Sequence, residues 1–499
     1  MKTIILGPPG TGKTTTLLNL VDQFIQQGIR PKQIGYFSFT KKAATEAANR
    51  AAEKFGLDVD NDLAFFRTLH SYAFNQLGMT KEKMMGPDDY KEFGEKCGIP
   101  IKTAKFSESD GTFNSDNEYL TIINTAAVKR MDLLEYYDSR QNILDIERNT
   151  LFLLAEELKR FKKEKGLKDF NDLLEDFLTK ESTNKFEVLF IDEAQDLSLL
   201  QWEMVRKIWA HAGKTYIAGD DDQAIFRWAG ADVDSFIAQT GKLLNLTQSR
   251  RIPRAIHDFA LGIIKRVSKR RYKEWAPRDY QGSLKFHDDI KDLDMSSGEW
   301  YVLARTRHML DNIEDEIRER GWYFENRFKK MPEKDASEAA GEWELARKGT
   351  PLNYKQVERI YSYMTPQHVD KLKLKGMAKE SYYNLSQLKD YGLKTDAVWY
   401  EAFDDLNFRR KNYIRSMRRN GENLKGNPRI HLSTIHSVKG GERPNVVLLT
   451  DLTNNTNRSY RKNPDDETRL FYVGATRTKE NLHIIRPKDY EKAYPMESI

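Results

Sequence analysis

The segment Gly7–Thr14, with the sequence G-P-P-G-T-G-K-T, constrains the fold more than any other part of the chain. The β-branched apolar run Thr3–Leu6 precedes it and predicts a buried strand, and apolar residues at helical spacing follow it up to Gly28. This strand–loop–helix order is the context that a phosphate-binding loop requires. The loop's backbone N–H groups, its lysine and the helix dipole would bind phosphate oxygens. The predicted nucleotide-binding residues here are Gly7, Pro8, Pro9, Gly10, Thr11, Gly12, Lys13, Thr14 and Thr15.

A second apolar run, Phe186–Ile191, predicts a strand that ends in Asp192 and Glu193. Parallel sheets present their ligands at this end of a strand. We expect Thr14 to ligate Mg²⁺, Asp192 to hold the ion through its water shell, and Glu193 to take a proton from an attacking water as general base. The alternative for an acidic pair after a strand is a helix N-cap, and the phosphate loop upstream argues against it.

A third predicted strand, Lys214–Ala218, leads into the segment Gly219–Gly230, which contains three consecutive aspartates. Three aspartates suggest a calcium loop, but the alternating ligands and the distal glutamate of an EF-hand are missing. A calcium loop is therefore not predicted.

Composition narrows the class of protein. The 499 residues are 39% hydrophobic and 31% charged, with a formal net charge of +6, which is typical of a globular chain of several domains. A single cysteine, Cys97, excludes an intramolecular disulfide framework and a cysteine-rich zinc site. No run approaches the ~20 apolar residues that cross a bilayer, so no membrane partner is expected.

Together these segments resemble the superfamily 1 DNA helicases of the UvrD/Rep/PcrA type, in a compact form. The phosphate loop, Asp192–Asp196 and Gly219–Gln223 are similar to the first signature motifs of that family. Further segments follow in the family's order: Phe39–Ala44, Thr68–Ser71, Asp169–Leu173, Leu246–Arg251, Val302–Thr306, Ser433–Glu442 and Arg469–Glu480.

The resemblance implies an α/β fold with two RecA-like P-loop NTPase domains and mainly helical inserted subdomains. We expect the first RecA-like domain at residues 1–77 and 166–245, with a helical insertion at 78–165. The apolar face of Leu151–Lys165 and the capping-type Gly166 after it predict a helix at the end of this insertion. The second would comprise 246–328 and 426–499, with a reduced accessory insertion at 329–425. Basic residues on a predicted helix of that insertion, including Arg409 and Arg410, favour phosphate contact over a merely solvated face.

The resemblance also implies roles for individual residues. Gln223 would sense the γ-phosphate, Arg251 and Arg477 would reach it from the second domain, and Glu442 would contact the sugar. Arginines in such places stabilise the charge of phosphoryl transfer. The implied DNA-binding residues are Phe39, Thr40, Lys41, His70, Ser71, Phe226, Trp228, Arg305, Thr434, His436 and Lys439.

The sequence departs from the family pattern in two places. One is the set of residues that bind the base of the nucleotide, and the other is the segment with Phe226 and Ala229. Only six residues precede Gly7, which leaves no room in this sequence for the family's adenine-reading glutamine segment. Arg250 stands where the family has a base-stacking tyrosine, and we count it among the nucleotide-binding residues because a guanidinium also stacks. We therefore expect weaker discrimination between ATP and other nucleotides. Phe226 and Ala229 replace a tyrosine and an arginine, which changes the expected coupling route.

The predicted function is an ATP- and Mg²⁺-dependent DNA helicase or translocase, an ATP hydrolase that moves on single-stranded DNA and unwinds duplex DNA in replication, repair or recombination. The resemblance alone implies that it moves 3′ to 5′. Its expected partners are single-stranded DNA, junctions with duplex, and a single-strand-binding protein or loader. A monomer in the cytoplasm is expected. The alternative is a nucleotide-gated nucleic-acid translocase, or a binding or remodelling protein, with little strand separation and with RNA as a second candidate track.

Overall fold

Apolar strand segments of this chain assemble into two parallel sheets, each in its own compact unit. The computed structural model describes residues 2–107, 111–140, 146–329, 333–424 and 426–498. The first unit comprises Met1–Gln281 with Arg458–Thr476, and the second comprises Gly282–Asn457 with Arg477–Ser498. The predicted α/β class with two parallel cores is confirmed.

In chain order, the strands within the described ranges are β1 (Lys2–Leu6), β2 (Ile34–Ser38), β3 (Phe66–Thr68), β4 (Ala104–Ser107), β5 (Thr112–Ser115), β6 (Phe186–Asp192), β7 (Ala212–Gly219), β8 (Lys242–Asn245), β9 (Ser283–His287), β10 (Trp300–Ala304), β11 (Phe324–Asn326), β12 (Leu352–Asn353), β13 (Tyr382–Tyr383), β14 (Ile430–Thr434), β15 (Arg443–Leu449) and β16 (Thr478–Ile485).

The α-helices of the same ranges are α1 (Lys13–Gln26), α2 (Lys41–Phe55), α3 (Leu69–Gln76), α4 (Pro87–Cys97), α5 (Glu118–Val128), α6 (Leu133–Asp138), α7 (Arg148–Lys165), α8 (Phe170–Thr179), α9 (Leu199–Trp209), α10 (Val233–Ile237), α11 (Arg254–Ile264), α12 (Asp311–Glu319), α13 (Glu333–Arg347), α14 (Tyr354–Ser362), α15 (Leu385–Asp390), α16 (Trp399–Ala402), α17 (Phe408–Arg419), α18 (Asn454–Lys462) and α19 (Pro464–Ala475). Within the described residues, no helix has the length and apolar character needed to cross a membrane.

The sheet of the first unit has the strand order β3-β2-β6-β7-β1-β8, and all of its pairings are parallel. Both faces of β1 and β6 are covered, which is why these strands are nearly continuous apolar runs. The order makes β6 and β1 the two neighbours of β7. The carboxyl ends of these three strands therefore meet at one edge, where an open α/β sheet binds its ligands.

The sheet of the second unit has the order β11-β14-β10-β15-β16-β9 and is also parallel throughout. Two short antiparallel pairs, β4 with β5 and β12 with β13, lie among helices within the two predicted insertions. The predicted helix that ends at Lys165 is confirmed as α7, and Gly166 follows it with φ 65° as its cap. The predicted basic helix is confirmed as α17.

Two segments that the sequence analysis assigns to the second RecA-like domain, 246–281 and 458–476, lie in the first unit. Hydrogen bonds hold them there: Ser268 Oγ donates to Asp465 Oδ2 at 2.7 Å, and the Arg469 guanidinium donates to Asp221 O at 2.9 Å. The predicted division into four subdomains stays a prediction. Its boundary residue 425 and the terminal residue 499 lie outside the described residues.

Candidate nucleotide site and nucleic-acid interface

The predicted phosphate loop connects β1 to α1 at the carboxyl edge of the first sheet. Gly10 and Gly12 have left-handed φ values of 73° and 81°, which side chains with a Cβ rarely adopt. The loop is anchored at its start, because the Gly7 N–H donates to Gly219 O at 3.1 Å. Thr15, in the first turn of α1, accepts a hydrogen bond from Arg50. The N-terminus of α1 thus begins where the loop ends, which is the arrangement that binds phosphate.

Lys13 and Thr14 connect this loop to the end of β6. The Lys13 ammonium donates to Gly7 O at 3.1 Å and lies 3.7 Å from Glu193 Oε1. Thr14 Oγ1 donates to Asp192 Oδ2 at 3.3 Å, and the buried Tyr36 hydroxyl donates to the same oxygen at 2.8 Å. Sequence analysis did not identify Tyr36, whose apolar neighbours on β2 indicate only a core strand.

The geometry of Thr14 and Asp192 fits a magnesium ion. Mg²⁺ prefers hard oxygen ligands, and it keeps several waters of its hydration shell in protein sites. Thr14 Oγ1 and Asp192 Oδ2 are two such oxygens and lie 3.3 Å apart. A hydroxyl and a buried carboxylate beside a phosphate loop are therefore a suitable donor set for this ion.

Glu193 follows Asp192 in a left-handed conformation, with φ 52° and ψ 40°, which is unusual for a residue other than glycine. Its side chain is 28% exposed and accepts a hydrogen bond from Gln195 Nε2 at 2.5 Å. Backbone conformations of this kind are retained where the surrounding structure imposes them, often at functional sites. The turn directs the carboxylate toward the loop lysine, where a general base is expected.

The three aspartates after β7 are neutralised by cations of the same unit. The Lys273 ammonium lies 3.1 Å from Asp220, 2.6 Å from Asp221 and 3.0 Å from Asp222, and all four side chains are almost fully buried. The Arg270 guanidinium forms a two-pronged contact with Asp222, at 2.7 and 2.6 Å. The position at which these carboxylates converge is therefore taken by an ammonium group.

Neighbouring charges and burial shift the pKa values of Lys273 and Asp220 in opposite directions. Burial by itself would lower the pKa of Lys273, but the three carboxylates raise it well above its ordinary value. Burial would raise the pKa of Asp220, whereas Lys273 and Lys13 bring it below its ordinary range. Gln223 belongs to the same cluster, because its Nε2 donates to Asp220 Oδ2 at 2.7 Å. Sequence analysis identified Gln223 but missed Lys273, which is 50 positions farther along the chain.

The segment with Arg250 and Arg251 lies beside the phosphate loop in the first unit. Ser249 Oγ donates to Pro9 O at 2.8 Å, and the Arg250 N–H donates to Gly10 O at 2.9 Å. The Arg251 guanidinium contacts Thr476 O at 3.5 Å. The structure thus places Arg250 and Arg251 beside the loop. Lys13, Asp192, Glu193 and Gln223 lie at the same sheet edge.

Six of the remaining predicted residues belong to the second unit, namely Arg305, Thr434, His436, Lys439, Glu442 and Arg477. Ala304 and Thr434 are register partners on β10 and β14, so Arg305 and the segment with Thr434, His436 and Lys439 meet at the carboxyl edge of that sheet. Arg477 is buried, and its guanidinium donates to Gly441 O at 3.3 Å. Glu442 forms an ion pair with Lys479 at 3.4 Å.

A cavity of about 440 Å³ opens in the first unit where four of the predicted DNA-binding residues meet. Three of the aromatic rings that line it form a row: the His70 and Phe106 ring centroids lie 4.7 Å apart, and Phe106 stacks on Phe170 at 4.1 Å between ring centroids. Burial lowers the pKa of His70 to about 4, so this imidazole is neutral at physiological pH. The predicted residues at the cavity are Phe39, Lys41, His70 and Ser71.

Sequence analysis missed Phe106 and Arg67 at this cavity, because nothing in their local pattern separates them from ordinary strand residues. Thr40, predicted to contact DNA, caps α2 by accepting from the Ala43 N–H at 3.2 Å. Phe226 is buried against Phe39, with ring centroids 5.7 Å apart.

Trp228 differs from these buried rings because 45% of its surface is exposed. It lies in a short 3-10 helix, Arg227–Ala229, in which Arg227 pairs with Asp466 at 3.5 Å. The resemblance leads one to expect an arginine at position 229, where this chain has alanine. Arg227 supplies a cation two positions earlier. An exposed indole on a loop is available for base stacking.

Comparison with known proteins relates these features to two family models. Residues 1–244 match the UvrD/REP helicase N-terminal domain, and residues 429–485 match the UvrD-like helicase C-terminal domain. The "Probable DNA helicase II homolog" of Mycoplasma pneumoniae is 26% identical over 248 residues, which are 46% of this chain and 34% of that protein.

Two further relatives have similar sequence identities. The "ATP-dependent DNA helicase Rep" of Escherichia coli is 26% identical over 246 residues, which are 46% of this chain and 35% of that protein. A "Probable DNA helicase" of Mycoplasma pneumoniae is 25% identical over 363 residues, which are 64% of this chain and 67% of that protein. The alignments with the helicase II homolog and with Rep thus span about a third of each relative's length.

Proposed function

Because this chain belongs to the UvrD-like family of superfamily 1 helicases, we propose that it is an ATP-dependent DNA helicase that moves along single-stranded DNA and separates duplexes. The observation that carries the proposal is the convergence of Lys13, Thr14, Asp192, Glu193 and Gln223 at one sheet edge of the first unit. These are the side chains that nucleotide hydrolysis requires. The 3′ to 5′ direction and a role in replication, repair or recombination follow from the family.

Hydrolysis is a transfer of the γ-phosphoryl group to water, and catalysis depends on placing charge around it. Lys13 stabilises negative charge on the phosphate oxygens, and Glu193 accepts the proton of the attacking water. Thr14 and Asp192 would hold Mg²⁺, which would supply positive charge against the phosphate oxygens. Gln223 contacts the γ-phosphate, and Arg251 and Arg477 supply guanidinium groups, which contribute about 10³–10⁵ in rate in related chemistry.

The nucleic-acid track of the proposal consists of Trp228 and the cavity lined by His70, Phe106 and Phe170. Base–aromatic stacking is independent of sequence, as a translocating protein needs. Lys41 and Ser71, both exposed at the cavity, supply phosphate contacts. Single-stranded DNA and its junctions with duplex are the proposed partners, with a single-strand-binding protein or loader in the cytoplasm and a monomer as the working form.

The test of this function is ATP hydrolysis by the purified chain, alone and with single-stranded DNA or RNA. We expect DNA to stimulate the rate. Lys13→Ala should abolish both the basal and the stimulated rate, whereas Trp228→Ala should lose mainly the stimulation, because one stacked base contributes about 1–3 kcal/mol to binding. Stimulation by RNA alone would contradict DNA as the track, and hydrolysis that persists in Lys13→Ala would contradict the assigned site.

Hydrolysis should also depend on the ionisation of Asp192. Burial and the neighbouring Glu193 raise the pKa of Asp192 to about 6, and a protonated carboxyl group does not ligate Mg²⁺. We therefore expect the rate to fall as the pH is lowered through about 6, and the midpoint to move to lower pH when Mg²⁺ is increased. The Tyr36 hydrogen bond lowers this pKa, so Tyr36→Phe should move the midpoint to higher pH. A midpoint independent of Mg²⁺ in a pH titration of the rate would contradict the role of Asp192.

A further inference from the structure

The carboxamide of Gln195 lies between the ends of β6 and β7 and is completely buried. Its Oε1 accepts the Asp220 N–H at 3.0 Å. Its Nε2 donates to Glu193 Oε2 at 2.5 Å and to Asp196 Oδ2 at 3.2 Å. A backbone N–H can only donate, so the oxygen must face Asp220 and the amide nitrogen must face the two carboxylates.

Asp220 continues this network on its far side. One carboxylate oxygen accepts the Gln223 amide at 2.7 Å, and the other lies 3.1 Å from the Lys273 ammonium. Hydrogen bonds therefore run without a gap from Glu193 through Gln195 and Asp220 to Gln223. The two ends of this network are the proposed general base and the proposed γ-phosphate contact.

The backbone around Gln195 leaves it no room to move. A Cβ added at Gly219 would lie 2.6 Å from Gln195 Oε1 and 2.8 Å from the Phe236 ring, closer than such atoms approach. Only glycine at the end of β7 permits the carboxamide to approach the strand this closely. Gln195 is thus clamped between β7 and the turn that carries Glu193.

We propose that Gln195 is a positioning residue that holds Glu193 and Gln223 in one rigid network, so that the proton acceptor keeps its distance from the γ-phosphate contact. This inference rests on the proposed function. Gln195 acts through Glu193 and has no direct nucleotide contact in the proposed site. Its loss should therefore lower kcat and leave nucleotide affinity nearly unchanged.

Gln195→Glu is the most discriminating test because glutamate has nearly the same shape as glutamine and replaces only the amide NH₂ with an oxygen. As a carboxylate, the new side chain faces Glu193 and Asp196 and repels them, while Asp220 on the other side is already paired with Lys273. As a neutral carboxylic acid, it donates its single O–H to Glu193 or Asp196 and accepts the Asp220 N–H with its other oxygen. Burial and two like charges raise the pKa of such a group by several units.

We expect kcat of Gln195→Glu to be about 10²-fold below the parent at pH 8.5, a fraction of the effect of a general base. Near pH 6.5, kcat of Gln195→Glu should come within about fivefold of kcat of the parent, since protonation of the new carboxyl group restores a hydrogen-bond donor. Protonation of Asp192 lowers the rate of both proteins at low pH, and this common effect cancels when the two kcat values are divided at each pH. Gln195→Leu, which cannot donate at any pH, should give a low ratio that does not change with pH.

Gln201→Glu is the matched control, because Gln201 is also buried but lies on α9 in a capping box with Ser198 that glutamate also forms. Its ratio to the parent should stay near one. Binding of a fluorescent ATP analogue to each variant checks that the site is folded.

A flat pH ratio for Gln195→Glu, or a loss of nucleotide affinity as large as the loss of kcat, would overturn the inference. A parent protein without ATP hydrolysis would overturn the proposed function and this inference together. A parent that hydrolyses ATP, combined with a flat ratio, would overturn the inference alone.

Discussion

Glu193→Gln is expected to hydrolyse ATP about 10²–10⁴-fold more slowly than the parent, because an amide cannot accept the proton of the attacking water. Nucleotide binding should change little, since Lys13 and the loop that binds phosphate are untouched. The measurement is steady-state hydrolysis at saturating Mg²⁺ and ATP in the presence of single-stranded DNA, combined with equilibrium binding of a fluorescent ATP analogue.

Glu187→Gln provides the comparison for this variant. Glu187 is an exposed glutamate on the same strand, β6, at the end opposite the site. Its substitution should leave the rate within about twofold, as surface changes usually have small effects. Hydrolysis by Glu193→Gln at the rate of Glu187→Gln would show that another group takes the proton, and the catalytic assignment would fail.

Lys273→Met is expected to destabilise the first unit by about 3–5 kcal/mol, because it leaves buried carboxylates without their cation. Asp220, Asp221 and Asp222 all lie within 3.1 Å of the Lys273 ammonium and have almost no access to solvent. Arg270 continues to pair with Asp222, which limits the loss. The free energy of unfolding, from urea denaturation followed by tryptophan fluorescence, measures this effect.

The sign of the pH dependence follows from the charged lysine. Since the folded state raises the pKa of Lys273, its contribution is fully present below the pKa of about 10.4 of an unfolded lysine and is lost only at higher pH. The comparison is therefore made near pH 7.5. Lys269→Met is the control, because Lys269 pairs with Asp234 at 2.8 Å on the surface and should contribute about 1 kcal/mol at most. Equal losses in the two variants would contradict the buried cluster.

The parts of the fold that were predicted from sequence are those with strong local signals. Continuous apolar runs identified β1 and β6 to within one residue at each end, and helical periodicity with a glycine stop identified α7. The strand β8 was not predicted, since its four residues are all exposed and carry no alternating or buried pattern. The two-residue strands β12 and β13 were not predicted either, because pairing across 28 intervening residues is not encoded by either segment alone.

The same division applies to the site. Lys13, Thr14, Asp192, Glu193 and Gln223 were identified because each lies in a short stretch of residue types with few other uses. Tyr36, Gln195 and Lys273 were not identified as site residues, although Gln195 lies within one of these stretches.

Sequence alone therefore determined the parallel sheets and the phosphate loop, and it supplied the proposed magnesium ligands and the proposed general base. Tertiary structure alone decided which groups hold that chemistry in place. A buried ammonium among three carboxylates, and an amide whose orientation is set by one backbone N–H, depend on distances between segments far apart in the chain. Burial makes these contacts energetically important, because an unpaired charge or amide inside a protein loses its hydration without compensation.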